Sequence, residues 1–160
     1  MTTGIDPDRT PCMDTKLRLK GSYEIKVKRN GKVIHIDSGK NLVVDDGLFL
    51  VMESTFLGSS PVTEHLGIGD DATSPMVTDE DLVSELGATR TLGGVSVLGN
   101  QATITFQFTS GGTITVREMG IFNNTVVGAG KMFSRFLPQE VDLVLNDVID
   151  VIWILQATGA

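Results

Sequence analysis

From Leu17 to Lys28 apolar and polar side chains alternate, with Gly21 the single gap, and Asn30-Gly31 follows at once. A strand repeats every two residues, so this run has one apolar and one polar face. Leu17, Leu19, Tyr23, Ile25 and Val27 lie on the first; Arg18, Lys20, Ser22, Glu24, Lys26 and Lys28 lie on the second. Asn-Gly supplies the two positive φ angles of a type I′ turn. Pairing Arg29 with Lys32 sets Val27 opposite Ile34, Ile25 opposite Ile36 and, on the outer face, Lys26 opposite His35. No helix accommodates this pattern, so the chain has to be built on a sheet.

The same reading extends along the chain. Ser38-Gly39-Lys40-Asn41 breaks the strand, and residues 45–57 follow helical spacing. Asp45 is placed to cap that helix, Asp46 suits its positive end and Gly58 is placed to stop it. Leu48, Phe49, Met52 and Phe56 form its apolar stripe, which we assign to the core. His65 to Ile68 is a short strand, followed by a polar loop from Gly69 to Asp81. Val95 and Val97, turning at Gly99-Asn100, come back against Ile104 and Ala102. Gly111-Gly112 makes the next reversal. Ile114 and Val116 share one parity while Met119 and Ile121 take the other, which predicts a bulge near Arg117-Glu118 or burial of both faces. Strands near Lys131 to Phe136 and from Val148 to Leu155 complete the set. Trp153 lies in the last and anchors either the core or a subunit interface.

The expected fold is therefore mainly β. It is an antiparallel β-sandwich, jelly-roll-like, with one α-helix packed on it and an extended N-terminal arm. Residues 1–15, with two prolines and no periodicity, form the arm; residues 16–160 form a single domain that includes helix 45–57.

With 160 residues, 41% of them hydrophobic, the chain can bury a real core. No apolar run approaches the roughly 20 residues of a membrane helix, and the opening residues do not resemble a secretory signal. One cysteine, Cys12, and two histidines, His35 and His65, give neither an internal disulfide nor metal-ligand spacing. Neither histidine has a nucleophile elbow nearby. Asp70-Asp71 and Asp79-Glu80-Asp81 are the residues to consider for a cation, although their spacing matches no EF-hand loop. Gly67-Ile68-Gly69-Asp70-Asp71-Ala72 fits the dinucleotide fingerprint formally. No helix pattern follows it, and two aspartates stand where phosphates would sit, so the match is accidental. No enzyme activity and no cofactor are expected.

Charge is unevenly distributed. Nine basic and five acidic side chains leave residues 1–41 at +4; four basic and fifteen acidic ones leave residues 42–160 at −11, together the −7 of the whole chain. A nucleic-acid binder would be basic throughout. A positive face on the first hairpin would instead meet an acidic surface on another subunit.

The order of the short motifs carries a resemblance. Gly39-Lys40-Asn41-Leu42-Val43-Val44-Asp45-Asp46-Gly47-Leu48 follows a hairpin and opens a helix. Leu66-Gly67-Ile68-Gly69 comes next, then a loop to Asp81-Leu82-Val83-Ser84-Glu85-Leu86. Arg117-Glu118-Met119-Gly120-Ile121-Phe122-Asn123 is followed by Met132-Phe133-Ser134-Arg135 and a closing strand. Over residues 20–157 this series resembles small structural proteins of tailed bacteriophages, the tail, collar and fibre-associated subunits. Gly69-Asp70-Asp71, where such proteins carry Gly-Thr, and the longer N-terminal arm are departures.

The resemblance implies a non-enzymatic virion subunit, assembled in the host cytoplasm into a trimer or ring with other virion proteins, and contacting neither nucleic acid nor membrane. Arg18, Lys20, Lys26, Lys28 and Trp153 are the expected subunit-interface residues, and the arm is expected to lie along a neighbour. Arg117 and Arg135 are expected inside, paired with Glu118 or nearby acids. The alternatives are a capsid decoration protein and a host-glycan-binding module, the latter disfavoured because Tyr23 and Trp153 both read as inward.

Overall fold

The computed structural model describes residues 17–57 and 63–159. The expected arm, residues 1–15, and the expected helix stop at Gly58 lie outside them. Strands β1 (Leu17–Arg29) and β2 (Lys32–Val43) form the first hairpin and lead into helix α1 (Asp45–Leu57). Then come β3 (His65–Gly69), β4 (Thr91–Leu92), β5 (Gly94–Leu98), β6 (Gln101–Thr109), β7 (Ile114–Val116), β8 (Glu118–Phe122), β9 (Met132–Phe136), β10 (Val141–Leu143) and β11 (Val148–Gly159). The fold is mainly β and antiparallel with one helix, as the alternation requires. Nine strands form one sheet in the order β4-β3-β8-β9-β2-β1-β11-β6-β5, and β10 pairs with β7 beside it.

The two edge strands of the large sheet are consecutive in the chain. β4 pairs with β3 at one end and β5 with β6 at the other, and only Gly93 separates them. The sheet is thus nearly closed into a barrel, its two halves facing one another across a common core. Gly93 donates its amide to the Glu64 carbonyl at 2.8 Å. A Cβ there would lie 2.5 Å from the Phe106 ring, so the crossing needs glycine. Inside, Tyr23 stacks on Phe136 with ring centroids 3.7 Å apart, and Trp153 meets Phe136 edge-on at 4.8 Å.

The Asn30-Gly31 turn forms as expected, with φ of 52° and 76°. Arg29 pairs with Lys32 and Lys28 with Val33, but a bulge then shifts the register. Val27 faces His35 and not Ile34; Ile25 faces Asp37 and not Ile36; Lys26 faces Ile36 and not His35. Three contacts favour this register over the apolar one. Gly39 lies opposite Tyr23, where a Cβ would be 2.8 Å from the phenol oxygen. Gly21 lies opposite Asn41 and leaves room for its side chain. Asp37, turned to the inner side, accepts hydrogen bonds from the Tyr23 hydroxyl at 3.2 Å and the Gln139 amide at 2.8 Å. Val33, Ile34 and Ile36 are exposed as a result. The second hairpin keeps its expected register, with Val97 opposite Ala102 and Val95 opposite Ile104.

Helix α1 has the expected bounds, but its expected core face is wrong. Gly47 and Leu50 are its buried residues, while Leu48, Phe49, Met52 and Phe56 are exposed, Phe56 at 72%. The cause lies at Gly47. It sits against the β9 backbone, and a Cβ there would fall 2.1 Å from the Phe133 carbonyl oxygen, so the Gly47–Leu50 side turns inward. Asp45 is helical and its amide donates to the Val77 carbonyl at 2.8 Å, so a loop carbonyl closes the helix start.

Two predictions follow from these contacts. Gly47→Ala, which in an open helix gains about 1 kcal/mol, should here cost about 1–3 kcal/mol in denaturant melts, because the methyl meets backbone. Burial, then the charge of Asp37 and its hydrogen bond, push the Tyr23 phenol up to about 12. An unfolded tyrosine ionises near pH 10, so the contribution of the neutral phenol is complete below that pH and is lost as pH rises through about 12. Wild-type denaturation midpoints should fall across this window more steeply than those of Tyr23→Phe.

Candidate functional site

The motif residues of β3, β8 and β9 converge. Gly67 pairs with Gly120, Gly69 with Glu118, and Gly120 with Arg135, so the Leu-Gly-Ile-Gly, Arg-Glu-Met-Gly and Phe-Ser-Arg stretches stand side by side. All five residues of β8 and all five of β9 are buried, which settles the parity switch near Arg117 in favour of a strand covered on both faces. The core covers one face. Residues 70–90 cover the other, and the glycines permit their close approach. A Cβ on Gly67 would lie 2.4 Å from a Glu85 carboxylate oxygen, and one on Gly69 would lie 2.6 Å from the Ser84 carbonyl. The accidental dinucleotide fingerprint thus makes room for carboxylates and backbone.

Arg135 and Glu118 are both fully buried. Arg135 donates to Glu118 Oε2 from Nη2 at 2.7 Å and from Nε at 3.0 Å. It also donates from Nη1 to Asp79 at 2.7 Å and from Nη2 to the Thr73 carbonyl at 3.0 Å. Glu118 in turn accepts the Ser84 amide at 2.7 Å and the Val83 amide at 3.2 Å. Burial opposes the Arg135 charge, but its hydrogen bonds to Asp79 and Glu118 and their negative charges outweigh it and raise its pKa. Arg135 is therefore internal, as expected. Arg117 is not: its side chain is 38% exposed and pairs with Glu140 at 2.6 Å, because the chain leaves the β7–β10 pair there before entering β8.

Arg90 forms a second centre that the sequence did not single out. Its guanidinium lies 3.3 Å above the Phe122 ring and donates to Glu85, Asp81 and the carbonyls of Asn124 and Ala129. Asp79 and Asp81, considered for a cation, are thus engaged by Arg135 and Arg90, and Asp71 accepts the Thr73 amide at 2.6 Å. Among the described residues no three histidine, cysteine or carboxylate side chains converge to hold a metal.

The expected interface residues do not form one open cationic face. Lys26 pairs with Glu24 at 2.6 Å and Lys28 with Asp150, so acids of the same sheet face neutralise both. Arg18 and Lys20 are exposed and, with Lys40, Leu42 and Leu48, line a cavity of about 700 Å³. Trp153 is fully buried in the chain's own core, the first of its two expected places, and presents no surface to a neighbour. Tyr23 is buried as well. No helix among the described residues is long and apolar enough to cross a membrane.

The surface feature the sequence misassigned is the outer face of α1. Leu48, Phe49, Met52 and Phe56 are 48–72% exposed, and Lys131 lies 3.6 Å from the centre of the Phe49 ring. The helical spacing of the stripe was readable, but the direction it faces was not.

Leaving one buried charge without its partner costs about 3–5 kcal/mol. Glu118→Ala should lower stability by that amount and expose the 70–90 segment to limited proteolysis. Arg135→Met combined with Glu118→Leu should recover part of the stability, since the buried guanidinium is then gone, while Asp79 and the amides of Val83 and Ser84 still lose their partners. Comparison with family models, with curated proteins and with solved structures gives no match to this chain.

Proposed function

We propose that this chain is a non-enzymatic structural subunit of a tailed-bacteriophage virion, assembling in the host cytoplasm with copies of itself, as a trimer or ring, and with other virion proteins of the tail, collar or fibre-attachment region. One observation supports this most. In the motifs that carry the resemblance, Asp81, Glu85, Glu118 and Arg135 are engaged inside the molecule and Arg117 in a surface pair, and they serve to fix shape. Glu118 and Arg135 are held by each other and by the 70–90 segment, with no open cleft between them. A substrate would find no free acid or base there. The chain instead offers apolar surface on α1, which suits a part whose work is to fit against other proteins.

The reading carries a direct test. Particles purified from a lysate of cells carrying the gene should contain the chain at a fixed ratio to the major virion proteins by quantitative mass spectrometry. Antibody labelling in electron micrographs should place it at the tail or neck. Labelling over the capsid would select the decoration protein, and absence from purified particles would reject both.

A further inference from the structure

Helix α1 is apolar on two opposite sides. At 100° per residue, Gly47, Leu50 and Val51 fall on one side and pack inward, while Leu48, Met52, Phe56 and Phe49 fall within an arc of about 100° on the other. A helix apolar all round belongs in a fully covered environment. Here only one side is covered by the described residues. These four outer side chains expose on the order of 450 Å² of apolar surface, within the range of the largest patch on a lone soluble chain.

We propose that this face packs against α1 of a second copy, antiparallel, with Met52 at the two-fold axis. The inference rests on reading the chain as an assembly subunit and names a surface that pairs two copies, an isologous contact that adds to the heterologous contacts of a trimer or ring and does not replace them. Two such faces bring on the order of 900 Å² together before their rims are counted, the size of a small, reversible interface. Self-complementarity supports a second copy as the occupant. Centring the pair on Met52 sets Leu48 of each copy against Phe56 of the other, a smaller side chain against a larger one.

The rim charges agree. Lys131 reaches over Phe49 and lies 3.9 Å from Asp46, which puts it on the Glu53 flank of the helix. A two-fold axis perpendicular to the two helices keeps each flank on its own side. Glu53 of one copy then lies along the same rim as Lys131 of the other, twice over.

The test uses the full chain and light scattering after size exclusion. Wild type should run as a species containing pairs. Phe56→Ser and Met52→Ser should each raise the dissociation constant at least about tenfold with unchanged far-ultraviolet circular dichroism. Glu53→Lys and Lys131→Glu should each weaken pairing, and the double exchange should restore it, a rescue that a merely structural role for either residue does not predict. In a Cys12→Ser background, Met52→Cys should form a disulfide-linked dimer on oxidation, while Thr113→Cys should not. An oligomer unmoved by the α1 substitutions would overturn the α1 contact and leave the assembly reading standing. A wild-type chain monomeric at every concentration would overturn the pairing, and a partner protein or residues 1–16 would then be the occupant. The assembly reading itself fails separately, on absence from particles.

Discussion

A guanidinium with no exposed surface, Arg135, sets the terms for one half of this molecule. A charge taken out of water must be paired and its remaining donors satisfied, or the fold loses several kcal/mol. Here the partners come from separate stretches of chain: Glu118 on β8, and Asp79 and Thr73 on the loop after β3. Glu118 passes the constraint on, since its two oxygens also hold the amides of Val83 and Ser84. Connections much longer than about 12–15 residues without regular structure are uncommon in compact domains. Residues 70–90 are such a connection, and Arg135 with Arg90 ties them to the sheet at both ends. A purely apolar contact could cover β8 and β9 equally well. It would not specify which carbonyls and carboxylates of the loop lie where, and the two guanidinium groups do.

The motif glycines belong to the same arrangement. Gly67, Gly69 and Gly120 line the face under the loop, and a methyl on Gly120 would touch Leu82, Phe122 and Met132 at 3.0–3.1 Å. Glycine is needed here for clearance, since none of the three has a positive φ. Gly93 serves the same end elsewhere, letting one continuous segment leave one edge of the sheet and join the other. With β4 two residues long and running straight into β5, little of the sheet is left as a long open edge on the β4 side.

What the sequence made legible was what depends on neighbours a few residues apart. Alternation located both hairpins, Asn30-Gly31 fixed the turn, and spacing gave the helix its bounds. The second hairpin kept its register because nothing opposed the apolar pairing. The first did not, because Tyr23 needs a glycine opposite and an acid within reach. Both exist only one residue out of step, at Gly39 and Asp37. That choice depends on Gln139, about a hundred residues away, so local pattern could not foresee it. The facing of α1 failed for the same reason. Its stripe was visible, but Gly47 against the Phe133 backbone decides which side turns inward. Arg90 was overlooked because its partners lie on a loop and a turn with no periodicity to read.

These corrections change the physics expected of assembly. A cationic hairpin meeting an acidic neighbour would associate through charge, and such contacts weaken once salt shortens the Debye length to about 8–10 Å. Lys26 and Lys28 are already neutralised by Glu24 and Asp150, and Arg29 is held by the buried Asp147. Docking on Lys26, Lys28 or Arg29 would have to break existing pairs for new ones of the same kind, with little net gain. The apolar side of α1 faces no such exchange. Covering it removes hydrocarbon from water at about 25 cal/mol per Å², a term that salt does not screen. The fold therefore answers part of the charge asymmetry itself, Lys28 and Arg29 meeting Asp150 and Asp147, and the association proposed for copies of this chain would draw on burial of a helix face more than on Coulomb attraction.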